Sequence, residues 1–395
     1  MFGTPQKYVA FIGNSIMYYY DLPRSLEIVS DGRVQQNACL SGAGSLVRMP
    51  DLQNGVWNRC RESGALLLTL DDDDVPDNGD DNAFYDNKVW DLGACNMDML
   101  LFGYNHTEAQ AKYDDFWTNY REVYGVTDDD GWKYDYGTDL DPRLNNPCCQ
   151  SQAYLNFLNN LPSSDIRVNP NQHWDYLVLV DRTAGPTYQT SIEAGKEALE
   201  EIYFPFLQRT KATPIFLVSH AYLKDRGDDD DDDIDDGDNP AAAMNEIPEL
   251  TVKTYMGYKQ YAEFLQQSLP RSQKPKLVNM GIAFLVIFEE NLDLWYSLFW
   301  IDNKHPSPHG NFLASCLLHH AVYGRVPYKS TVIRDDMQSL WDGTRNLMYP
   351  RDDVVPFPTK QETEFLYNVC KRVAGGYIPP TFRALQLENG QSLYR

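Results

Sequence analysis

The chain has 395 residues, a hydrophobic fraction of 43% and a formal net charge of −23. That length allows one large domain or two ordinary ones, with enough apolar material for a real core. So acidic a chain argues against nucleic acid and anionic membrane surfaces as partners, because both are bound through clustered Lys and Arg; no apolar run is long enough to span a bilayer.

In chain order, Lys7–Gly13 reads as a buried strand closed by a glycine. The spacing predicts a helix over 16–29, which Pro23 must kink or delay. A second short strand is predicted at Arg33–Cys39. The clearest strand is Trp174–Asp181, an apolar run bounded by charges, the pattern of a parallel strand covered on both faces. Residues 188–204 are predicted helical, Thr213–Ser219 a strand, 251–268 a helix, Lys276–Gly281 a fifth strand and 310–323 a helix. Strands alternating with helices predict an α/β protein, a three-layer α/β/α sandwich on a parallel sheet of about five strands. Its active site is expected at the carboxyl ends of those strands.

Two stretches interrupt this alternation. Residues 50–170 are far longer than one crossover requires and read as an insertion that caps or flanks the sheet, with helix candidates near 107–123 and 150–160. The second is an acidic loop at 227–240. Sixteen Asp are concentrated in two runs, seven in 71–81 and nine in 228–238, so the charge belongs mostly to two loops. Like-charged runs repel and solvate, and the expectation is a disordered type of loop with at most weak calcium binding, since the spaced ligands of an EF-hand are missing. Apart from these interruptions the chain reads as a single domain.

The seven cysteines are odd in number and scattered, with no C-x-x-C pair. That fits neither a small disulfide framework nor a zinc ribbon. Asn105-His106-Thr107 has the form of a glycosylation acceptor, a triplet that recurs by chance. A strand-like segment begins within a few residues of Met1, without the basic region and apolar stretch of a signal peptide. The default expectation is a soluble protein of the cytoplasm or an organelle, with the compartment itself left open.

Two short segments carry the chemistry. Gly13-Asn14-Ser15 follows the first strand, and Asp302-Asn303-Lys304-His305 runs into Pro306. A serine hydroxyl attacks poorly until a positioned base takes its proton. The imidazole that does so needs a carboxylate to hold its tautomer and stabilise its cation. Ser15 also suits a helix N-cap, but an N-cap has no use for Asp302 and His305. His305 and His309 stand at helical spacing for a metal, and Pro306 and Pro308 make the required regular helix poor. The turn around Ser15 is not G-x-S-x-G, which disfavours the α/β-hydrolase fold.

Three blocks in order resemble the SGNH, or GDSL-like, hydrolase superfamily. The first is Gly13-Asn14-Ser15, where the family has Gly-Asp-Ser. The second is Asn37-Ala38-Cys39-Leu40-Ser41-Gly42, and the last is Asp302-Asn303-Lys304-His305-Pro306. The resemblance covers roughly 5–50 and 174–325. It implies a flavodoxin-like sheet and a serine ester hydrolase with Ser15 as nucleophile, His305 as general base and Asp302 as its orienter. It further implies an oxyanion hole from the N–H groups of Ser15 and Gly42, no cofactor and no metal. The substrate would be a small-molecule or carbohydrate ester, acyl or acetyl.

The third block departs from the family. Gly-x-Asn-Asp is replaced by Asp181-Arg182-Thr183-Ala184-Gly185, so the family's Asn donor is missing and Arg182 or Thr183 is left to supply one. One lost oxyanion donor costs about 3 kcal/mol of transition-state stabilisation. A weak or inactive binding or scaffold protein on the same fold is therefore the alternative. Asn14 in place of the family's Asp is expected to matter less, since that Asp does not attack. His220 could line the pocket or be a structural histidine. Tyr18, Tyr19, Tyr20 and Trp300 could stack on a substrate, or simply pack helix on sheet.

Overall fold

The computed structural model describes residues 5–18, 20–40, 44–51, 67–68, 89–90, 97–102, 174–183, 185–222, 244–300, 302–328, 335, 337–338 and 356–388. Both Asp runs, Gly42, Tyr19, the helix candidates near 107–123 and 150–160, and Asn105 to Thr107 lie outside them.

The described elements open with β1 (Lys7–Gly13), α1 (Ser15–Tyr18), α2 (Leu22–Val29) and β2 (Val34–Leu40). After a short antiparallel pair, Leu67–Leu68 with Val89–Trp90, come α3 (Met97–Phe102), β3 (Tyr176–Leu179) and α4 (Gln189–Ala198). A π-helical turn at Leu199–Tyr203 runs into α5 (Phe204–Thr210). The rest is β4 (Thr213–Leu217), α6 (Ile247–Ser268), β5 (Lys276–Val278), α7 (Met280–Glu290), α8 (Leu292–Tyr296), α9 (Pro308–Tyr323), α10 (Lys360–Ala374) and α11 (Pro380–Glu388). Among the described residues no helix is long and apolar enough to cross a membrane.

Five strands pair in parallel in the order β2-β1-β3-β4-β5. This is the flavodoxin-like order of an α/β sandwich, as the alternation predicts. Val9 to Ile12 of β1, Leu177 to Val180 at β3 and Ile215 to Val218 at β4 are fully buried. Their unbroken apolar runs follow from being covered on both faces. α2 and α9 pack on each other and on the sheet, while α4 and α6 form the other helical layer.

Three differences from the sequence expectations have local causes. The helix expected over 16–29 is split: Tyr20 and Asp21 take positive φ of 57° and 51°, and α2 restarts with Pro23 in its first turn and Asp21 capping the Arg24 N–H at 3.1 Å. The expected strand at Lys276–Gly281 stops at Val278, because α7 begins at Met280. Residues 97–102 fall within the expected insertion, yet Met97, Leu100 and Leu101 are buried in the common core, and the Trp174 indole N–H donates to the Leu100 carbonyl at 3.3 Å. This helix belongs to the β2–β3 crossover that a parallel pairing requires.

The register decides what meets at one edge. Gly13 pairs with Leu40, Ile12 with Leu179, Leu179 with Phe216 and Leu217 with Val278. The chain segments leaving β1, β2, β3 and β4 therefore emerge side by side: Asn14-Ser15, the 44–46 loop, Asp181 and His220. Strand order reverses direction between β1 and β3, the place where open α/β sheets leave a crevice.

Candidate active site

Ser15 stands at the start of α1, immediately beyond β1. Gly13 is needed for the close approach: a Cβ there would lie 2.6 Å from Val180 Cγ1 and 2.9 Å from Met17 Sδ. The Ser15 hydroxyl donates to His305 Nε2 at 2.7 Å, across 290 residues of sequence. The His305 Nδ1–H donates to Asp302 Oδ2 at 2.5 Å. The three residues that the motifs single out are thus brought into one hydrogen-bonded relay.

The His305 segment is a closed hairpin. Phe299 and Pro306 bridge antiparallel, the Trp300 N–H donates to the His305 carbonyl at 2.7 Å, and the Ser307 N–H donates to the Leu298 carbonyl at 2.8 Å. Within it, Asp302 Oδ1 accepts the N–H groups of Lys304 and His305, both at 2.9 Å. Asn303 takes a φ of 56°, which Asn tolerates better than most residues. Burial pushes the Asp302 carboxyl up, but the bonds from the His305 ring and the two backbone N–H groups outweigh it and hold the carboxyl below its ordinary value. Asp302 is thereby kept ionised to orient the imidazole. α9 starts at once after this loop, with the Ser307 hydroxyl accepting the His309 N–H at 3.0 Å. Gly310 lets α9 sit tight beneath it, since a Cβ would meet the Leu298 carbonyl at 2.6 Å.

His309 points elsewhere, its Nε2 lying 3.6 Å from Glu362 Oε2. The two histidines do not converge, and among the described residues no group of three or more His, Cys, Asp and Glu is gathered for a metal.

Asn14 does more than its motif position suggests. Its Nδ2 donates to the Gly44 carbonyl and to the Asp181 carbonyl, each at 3.0 Å, and its Oδ1 accepts the Ile16 N–H at 3.1 Å. One buried side chain ties β1, the loop after β2 and the end of β3 around Ser15. Asp181 completes the tie. Its Oδ1 accepts the Leu46 N–H at 3.1 Å and the Arg182 N–H at 2.8 Å, and its Oδ2 accepts the Tyr261 hydroxyl at 2.7 Å. Burial raises the Asp181 carboxyl, against the lowering effect of those bonds.

This geometry bears on the oxyanion donors. The Ser15 N–H has no acceptor among the described residues. Gly42 lies outside them, although Leu40 and Gly44 on either side are held beside Ser15. The Arg182 N–H is engaged by Asp181 and is not an open backbone donor. Among the described residues no hydrogen bond of Thr183 points to such a role.

The aromatic candidates divide. Tyr20 and Trp300 are buried and meet edge-on at 5.5 Å between ring centroids, so they pack the Ser15 turn on the His305 loop. The Asn311 Nδ2 of α9 donates to the Tyr20 carbonyl and pins the same turn. Asn311 belongs to none of the motif blocks, and the sequence carries no signal for its role.

His220 is fully buried and does not line an open pocket. Its Nε2 lies 2.8 Å from the Lys304 carbonyl, and its ring stacks on Phe284 at 4.4 Å. Burial first, then the nearby His305, lower its pKa from the ordinary 6.5 to about 4, against the raising effect of the Lys304 carbonyl and Asp302. It is neutral at physiological pH. Between those two values the unfolded chain takes up a proton that the folded chain refuses, so the stability is present above 6.5 and falls toward pH 4. The full loss from this residue is roughly 3 kcal/mol. Buried His309 and His319 and half-buried His320 shift in the same direction, again through burial. Urea unfolding at pH 7 and pH 5 should show the decline, and a smaller decline in His220→Gln.

No protein-family profile matches the chain, and no curated protein does. A crystal structure of a DUF4886 family protein from Bacteroides uniformis ATCC 8492 is similar over 86% of this chain and 94% of that one, at 12% identity and a TM-score of 0.39.

Proposed function

We infer that the protein is a serine ester hydrolase of SGNH type. The observation that carries this reading is the relay itself: Ser15 Oγ to His305 Nε2 at 2.7 Å and His305 Nδ1 to Asp302 Oδ2 at 2.5 Å. Both distances lie in the range a nucleophile, its base and the base's orienter require. Ser15 attacks the ester carbonyl as His305 takes its proton, and the carbonyl π electrons move to oxygen. The Ser15 N–H is the backbone donor available to the oxyanion among the described residues, and the resemblance adds that of Gly42. Collapse of the tetrahedral intermediate expels the alcohol, which receives the proton from His305. Water then attacks the acyl-serine by the same route and releases the acid. No cofactor enters this scheme. Small acyl esters, acetyl esters of carbohydrate among them, are the substrates the motif resemblance suggests.

A slower variant of this chemistry, or a binding protein on the same fold, is the second reading. It is favoured by the engagement of the Arg182 N–H with Asp181, which removes a backbone donor from the third-block position.

A fluorophosphonate probe separates the two. The hydrolase reading expects one adduct per chain, located on Ser15 by peptide mass spectrometry, together with turnover on a panel of aryl esters. Absence of both results would sink it. Asp302→Asn should slow both reactions by about 10³ to 10⁴, because an amide N–H facing Nδ1 forces the proton onto Nε2 and leaves Ser15 without a base.

A further inference from the structure

The geometry points to His220 as a positioning residue for the catalytic base, acting through the peptide that precedes His305. This rests on the hydrolase reading and extends it by one residue. The Lys304 carbonyl can only accept, so the 2.8 Å contact assigns the proton of His220 to Nε2. The N–H of the same peptide belongs to His305 and donates to Asp302 Oδ1 at 2.9 Å. One peptide plane is thus gripped at both ends, its oxygen by a side chain at the end of β4 and its N–H by the triad carboxylate. Holding that plane sets the direction in which His305 Cβ leaves the backbone, and with it the aim of Nε2 at Ser15.

The rest of the His220 environment suits a rigid strut. The ring is stacked on Phe284 at 4.4 Å with an interplanar angle of 17°, and meets Phe299 edge-on at 5.3 Å. Phe299 is itself in the hairpin, bridged to Pro306. The other ring nitrogen, Nδ1, is buried and has no hydrogen-bond partner among the described residues, so the only polar work of this imidazole is the bond to Lys304. His305 and Asp302 are the charged or titratable groups whose fields reach it most strongly. A histidine needed merely to fill space between two phenylalanines would be better replaced by an apolar ring.

The test uses the full chain with His220→Phe, which keeps the stacked ring and loses the donor, and His220→Gln, which keeps a donor and loses the ring. On an aryl acetate, His220→Phe should lower kcat by roughly 10- to 100-fold with KM within about twofold, the cost of a misaimed base. His220→Gln should recover most of that loss although it packs worse. Equal kcat in His220→Phe and wild type, or a Gln variant as slow as Phe, overturns the proposal. If His220→Phe does not fold, as judged by circular dichroism, a His220→Gln kcat within about fivefold of wild type supports the proposal, and one lowered by about 10-fold or more overturns it. A second readout does not need turnover: the downfield proton resonance of the His305 Nδ1–H, assigned by its loss in Asp302→Asn. It should broaden through faster exchange in His220→Phe and stay sharp in His220→Gln; an unchanged signal in His220→Phe overturns the proposal. Failure of the hydrolase reading looks different, since the wild type would then neither label at Ser15 nor turn over while this resonance still reports on His220.

Discussion

Ser15→Ala should abolish fluorophosphonate labelling and lower aryl-ester turnover by at least about 10³-fold, with the fold intact. The size follows from the relay. Removing the hydroxyl removes the attacking atom, and what remains is the binding and oxyanion stabilisation a water attack could still exploit. The fold is expected to survive because Ser15 is half-buried and its hydroxyl makes one bond, to His305. Helix and strand content by circular dichroism should match wild type, and the melting temperature should stay close. A Ser15→Ala protein that hydrolyses esters at the wild-type rate would mean that another group attacks, and the triad would have to be abandoned.

The second large effect is expected one residue earlier. Asn14→Asp restores the residue usual in the resembling family, yet here it should destabilise the protein by about 3 to 5 kcal/mol. Asn14 Nδ2 donates to two carbonyl oxygens, those of Gly44 and Asp181, and the residue is only 3% exposed. An ionised carboxylate of the same shape would point oxygen at oxygen twice, without water to relieve it. The Ile16 N–H could still be accepted, so the loss is confined to the donor side. The sign with pH can be worked out. Burial raises the new carboxyl's pKa in the folded state, and the protonated form donates one bond again. The deficit should therefore be largest near neutrality and shrink as pH falls through that raised value. Chemical unfolding of wild type and Asn14→Asp at pH 7 and pH 5 measures it. A variant as stable as wild type at pH 7 would show that the two carbonyl contacts matter little. Asn14 is thus of more consequence than its place in a motif implies, because the carbonyls it faces come from segments 30 and 167 residues away.

Asp181 shows the same point from the other side. In the sequence it is the charged end of an apolar strand, and Arg182 beside it is a candidate donor. In the folded chain its carboxylate gathers the Leu46 N–H, the Arg182 N–H and the Tyr261 hydroxyl. The group that closes the strand is also the one that occupies the neighbouring backbone donor.

Much was legible without coordinates because it is local. Five runs of strand length, the first, third and fourth of them mostly apolar, separated by helical stretches, are enough to imply a parallel sheet covered on both faces. Asp302 and His305 sit three residues apart, so one turn of chain brings carboxylate and ring together wherever the loop lies. α10, a helix not among those expected from the sequence, is capped as locally: the Thr359 hydroxyl accepts the Glu362 N–H at 3.2 Å, and the Glu362 carboxylate accepts the Thr359 N–H at 2.7 Å. The break between α1 and α2 was only half legible. Pro23 marked a kink or delay, but the positive φ of Tyr20 and Asp21 and the bond from Asn311 of α9 to the Tyr20 carbonyl are seen only in the fold.

By itself, then, the amino-acid order determined the layers and the strands, which follow from periodicity, and the Asp302–His305 pair, which follows from short spacing, while Ser15 stood out only through the block it shares with the resembling family. Only the tertiary structure decided that Ser15 and His305 touch, that Asn14 and Asp181 lace the sheet edge around them, and that His220 braces the loop. The physical reason is that a buried donor or acceptor is defined by what lies opposite, and parallel register, through crossovers of many residues, chooses the opposing group.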